Sequence, residues 1–97
     1  MERNKENLAK FDHILNLAKK IDETYEYGVG ISYTDVNAMS QNAIVSIDTS
    51  SPVLFDTFKL KTILAEMITT ADDFIVANVD DTEDVRLSFG VRNVWEP

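Results

Sequence analysis

The chain has 97 residues, of which 44% are apolar and 27% are charged, with no cysteine and a net charge of −8. This length and balance predict one folded domain over residues 1–97 and exclude a mainly disordered chain. The lack of cysteine excludes disulfides, thiolate metal sites and cysteine nucleophiles. The acidity argues against direct binding of DNA or RNA, because an acidic surface repels phosphates.

The N-terminal sequence MERNKENLAK is polar and lacks the apolar stretch of a signal peptide. No apolar run approaches the roughly 18 residues of a membrane span. We therefore expect a cytoplasmic protein with no membrane contact, in the host cytoplasm if the gene is viral. The charge is uneven: residues 1–20 hold five bases and three acids (+2), and residues 21–97 hold four bases and fourteen acids (−10).

The first predicted element is a helix over residues 5–26. Apolar side chains recur there at spacings of three and four, which is the periodicity of one helix face. Asn4 is the expected N-cap, and Gly28 is expected to end the helix. The residues of the predicted stripe are Leu8, Phe11, Ile14, Leu15, Ala18, Ile21 and Tyr25.

A β-hairpin is predicted next. Residues 29–36 alternate, with Val29, Ile31 and Tyr33 on one face, as in a strand with one buried side. Residues 37–42 contain two asparagines and predict a turn. A second alternating strand follows over residues 43–49.

The second helix has two candidate starts. Pro52 at the first helical position, with Ser51 as cap, gives one start, and Asp56 gives the other. Helix termination is expected near Thr70 or Ala71. The apolar stripe consists of Leu60, Ile63, Leu64, Met67 and Ile68.

The last predicted element is another hairpin. The sequence FIVANV, residues 74–79, predicts a strand, and DDTED, residues 80–84, predicts the loop. Residues 85–95 alternate cleanly. The predicted inward side chains are Val85, Leu87, Phe89, Val91 and Trp95.

The element order αββαββ predicts a two-layer α+β sandwich, with a four-stranded antiparallel sheet and both helices on one face. The opposite sheet face should be polar and open to water. The halves 5–49 and 52–95 align at an offset of 44 residues, with few identities. This alignment indicates either an internal αββ duplication or two halves that only share the same order of elements.

The sequence contains only weak patterns for a catalytic site or a metal site. The acids of residues 80–84 are oxygen ligands, but they lack the alternation and central glycine of a calcium loop. The single histidine, His13, lies off the helix stripe and is expected at the surface. The sequence GVG, residues 28–30, opens a strand rather than a helix, so it predicts no phosphate cradle. We therefore expect no enzyme activity, no metal and no cofactor.

The acids after residue 65 form the clearest candidate site. Seven acids and no base lie in residues 66–84, and those at 72–73 and 80–84 fall at opposite ends of one predicted strand. Such a row can imitate the field of nucleic acid phosphates toward a basic groove of a protein. The alternative is that acids at strand ends only keep an apolar strand soluble. The residues are Glu66, Asp72, Asp73, Asp80, Asp81, Glu83 and Asp84.

Trp95 is the second candidate for contact with a partner. It either closes the core or emerges with Val94 at the sheet edge as an apolar anchor. Two functions follow: a non-catalytic module that binds a basic protein surface, or a self-assembling accessory domain that forms a homodimer. Small acidic α+β proteins without cysteine are common among phage and mobile-element inhibitors of defence nucleases, a similarity of type that rests on no motif.

Overall fold

In the computed structural model, the described residues are 2–25, 27–37, 40–49, 58–80 and 84–96. Within them, two helices and five strands follow the predicted order αββαββ, with a short strand β1 added before the first helix. The elements are β1 (Glu2–Arg3), α1 (Lys5–Tyr25), β2 (Gly28–Asn37), β3 (Ser40–Thr49), α2 (Phe58–Thr70), β4 (Asp73–Asn78) and β5 (Val85–Glu96).

Helix α1 begins at the predicted cap. The side-chain oxygen of Asn4 accepts the N–H of Asn7 at 3.1 Å, so one free donor of the first turn is satisfied. The prediction that Gly28 ends the helix is wrong. Helix α1 ends at Tyr25, and Gly28 starts β2 without the positive φ of a glycine C-cap.

Helix α2 is described from Phe58 onward, and both predicted starts, Pro52 and Asp56, lie outside the described residues. Its end at Thr70 is as predicted. Leu60 and Met67 are fully buried. Ile68, a member of the predicted stripe, is instead 42% exposed, because it faces the open side of α2 toward β4.

The strands form one antiparallel sheet in the order β2–β3–β5–β4, and β1 lies beyond β4 along the same side of β5. Strands β3 and β5 are therefore central, while β2 and β4 are edges. One row of paired residues crosses the whole sheet toward the helices: Ile31, Val45, Phe89 and Phe74.

The core lies between this sheet face and the two helices, which confirms the two-layer α+β sandwich. Buried side chains from α1, α2, β3 and β5 form a single cluster, with Ile14, Leu60 and Phe89 among its fully buried members. The opposite face of the sheet carries small and polar residues such as Gly30, Ser46 and Ser88.

The predicted alternation of β5 is wrong beyond Arg92, which is exposed as predicted. Ala43 lies opposite Val91 but Gln41 lies opposite Trp95, so residues 92–94 of β5 oppose only one residue of β3. This bulge places Asn93 at φ 52° and turns Val94 into the core, where it is fully buried. Trp95 is half-buried and packs against the edge of the core.

The first hairpin has one central strand, β3, and one edge strand, β2, and the second hairpin has the same arrangement with β5 and β4. The internal duplication of residues 5–49 and 52–95 stays a prediction.

Within the described part of the chain, neither helix combines the length and the apolar character needed to cross a membrane.

Candidate protein-binding edge of the sheet

Strand β4 presents an exposed apolar edge. Among the described strands, Asp73–Asn78 pair with β5 alone, so the outer backbone groups of β4 meet no other described strand. Phe74, Ile75 and Val76 are 38%, 61% and 57% exposed. Edge strands usually carry charges, prolines or bulges that prevent pairing with another chain. An apolar and regular edge is therefore suited to pairing with another strand.

An apolar groove runs between α2 and β4. It has a volume of about 380 Å³, and it opens on the same side as the β4 edge. Ile68 and Phe74 are among the exposed apolar side chains in it. Its lining comprises Lys61, Leu64, Ala65 and Ile68 of α2 and Phe74, Val76 and Leu87 of the sheet.

At the start of β4, acids and bases neutralise one another. Nζ of Lys10 on α1 lies 3.1 Å from Oδ1 of Asp72. The other oxygen of this carboxylate, Oδ2, accepts a hydrogen bond from the backbone N–H of Arg92 at 2.8 Å. The guanidinium of Arg92 donates two hydrogen bonds to Asp73, at 2.6 and 3.0 Å. We call these four residues the paired end of β4. Their formal charges sum to zero, two negative and two positive.

The contacts of the paired end also lower the pKa values of its two acids, Asp72 and Asp73. Partial burial acts to raise the pKa of Asp72, but the Arg92 N–H and the Lys10 ammonium outweigh it, and the pKa lies below its usual value. The hydrogen bonds from Arg92 lower the pKa of Asp73. Both carboxylates are thus held ionised by contacts within the chain, and their charge is compensated there.

At the other end of β4, residues 80–84 hold four acids and no base, and we call this segment the acidic turn. The N–H of Val79 donates to the carbonyl of Asp84 at 2.9 Å, which closes the turn. Asp80 is exposed and has a left-handed backbone, with φ 50°. Asp81 and Glu83 lie outside the described residues.

The base nearest in sequence to the acidic turn is Arg86, whose charge interacts with Asp80 but whose hydrogen bonds go to Asp48. Its guanidinium donates to both oxygens of Asp48, at 2.8 and 3.0 Å. This bidentate contact lowers the pKa of Asp48. By sequence, four acids thus follow the end of β4 opposite to the paired end, and of these the structure describes Asp80 and Asp84.

Glu66 and Trp95 lie away from both of these ends. Glu66 is exposed on α2, and its carboxylate is 2.9 Å from Nε2 of His13 on α1. His13 is at the surface, as predicted. Trp95 lies near the far end of β5, opposite Arg3 and Gln41. The eight predicted residues thus divide among the helix surface, the paired end, the acidic turn and the end of β5.

Away from the β4 edge, the described surface carries a polar hollow but no cluster of metal-ligating side chains. No three histidine or acidic side chains among the described residues are close enough together to hold a metal ion. A polar hollow of about 350 Å³ lies on the open sheet face beside Gly28 and Gly30. Its charged side chains, Asp48 and Arg86, bind each other.

The apolar residues of the β4 edge were missing from the predicted site. The sequence did contain a signal, since Phe74, Ile75, Val76 and Ala77 are consecutive and do not alternate. Such a run is typical of strands with apolar side chains on both faces. Only the strand order shows that this strand lies at an edge, where the apolar groups are exposed.

Comparison of the chain with protein-family models, with curated proteins and with solved structures found no match.

Proposed function

We propose that this protein is a non-catalytic protein-binding module that docks its acidic turn on a basic surface of a partner protein. The observation that supports the proposal most is the separation of charge along β4. The acids of the paired end are compensated within the chain, whereas residues 80–84 concentrate four negative charges. The acidic turn, rather than the whole predicted row of acids, is therefore the proposed contact.

A protein that handles nucleic acid is the class of partner that fits this surface. Its groove is basic because it accepts phosphates, and a cluster of carboxylates presents a similar field. Docking of this kind inhibits such a partner by occupying the groove. We place the protein in the cytoplasm, or in the host cytoplasm if the gene is viral, where nucleases of defence systems are partners of this type.

The test compares two variants with equal net charge. The first replaces Asp80, Asp81, Glu83 and Asp84 by lysine. The second replaces four exposed acids of α1 by lysine, namely Glu6, Asp12, Asp22 and Glu23. Four reversals change the charge by +8, so both variants go from −8 to 0. Tagged proteins are used to capture partners from nuclease-treated lysate at low and high salt.

We expect the parent and the α1 variant to retain a nucleic-acid-handling protein at low salt and to release it at high salt. The variant of the acidic turn should retain none of it while keeping the circular dichroism of the parent. Equal capture by both charge variants would overturn the proposal, and so would capture that does not change with salt.

A second candidate function is a self-assembling accessory domain. The exposed apolar side chains of β4 favour it, because apolar edge strands pair readily with other chains. Trp95 supports this candidate less well, since it packs against the core of its own chain.

A further inference from the structure

We draw no further inference here: the strongest candidate, the exposed apolar edge of strand β4 with the groove between it and α2, carries none, because nothing among the described residues shows what covers it.

Discussion

Valine at position 93 should destabilise the protein, while glycine at the same position should not. Asn93 has φ 52°, in the left-handed region that asparagine and glycine tolerate and β-branched residues avoid. Its N–H donates to the side chain of Asn42 at 2.9 Å, and its carbonyl accepts from the side chain of Asn7 at 3.2 Å. These contacts use only backbone atoms of residue 93, so they hold its φ whatever the side chain is.

The size of the effect follows from the backbone. A left-handed residue with a Cβ atom costs roughly 1–2 kcal/mol, and β-branching places valine at the upper end, so Asn93→Val should lose about 2 kcal/mol. Asn93→Gly relieves the steric cost but frees the unfolded chain by roughly 0.5–1 kcal/mol, and these two effects nearly cancel. For a domain with about 5–10 kcal/mol of stability, the loss in Asn93→Val is readily measured.

Urea unfolding followed by circular dichroism is the assay, because Trp95 lies too near the substitution to serve as a neutral fluorescent probe. Ser88→Val is the matched control, since Ser88 lies on the open face in a regular part of the same strand. Valine suits such a position and should change stability by less than about 0.5 kcal/mol. Equal losses in Asn93→Val and Asn93→Gly, or in Asn93→Val and Ser88→Val, would refute the reasoning.

Three further predictions concern the core, the first helix and pH. Phe89→Ala should lose about 4 kcal/mol in urea unfolding, because Phe89 is fully buried between both layers, and a loss under 1 kcal/mol would contradict that position. Asn4→Ala should lose about 1 kcal/mol by the same assay, whereas Asn16→Ala, in the exposed middle of α1, should not. Acid should destabilise the protein, because some carboxyls have lower pKa values in the native state than in the unfolded chain. Their contribution to the free energy of unfolding is fully present above about pH 4 and is lost as the pH falls through their native pKa values. The carboxyls with lowered pKa values are Asp48, Asp72 and Asp73. Asp73→Asn should weaken the dependence of the urea midpoint on pH, and an unchanged dependence would exclude Asp73 as a contributor.

The sequence by itself determined the elements and their order, except for the short strand β1. Apolar spacing of three and four marked α1 and α2, alternation marked β2, β3 and most of β5, and Asn4 marked a helix start that the structure confirms. These features depend on contacts between neighbours in the chain and on which side of an element is apolar. The local periodicity of apolar residues indicates both the type of element and its apolar side. The same local information predicted the two-layer α+β sandwich, because two helices and two hairpins have few ways to bury their apolar faces.

The tertiary structure alone decided how the candidate site is built. Local patterns do not specify strand order, so only the pairing of β3 with β5 shows that β4 is an edge with exposed apolar groups. The bulge at Asn93 depends on Asn42, a residue of another strand. Lys10 and Asp72 are 62 residues apart in the chain, yet their contact compensates one of the predicted acids. Each of these outcomes depends on contacts between distant parts of the chain, for which a single sequence carries no periodic signal.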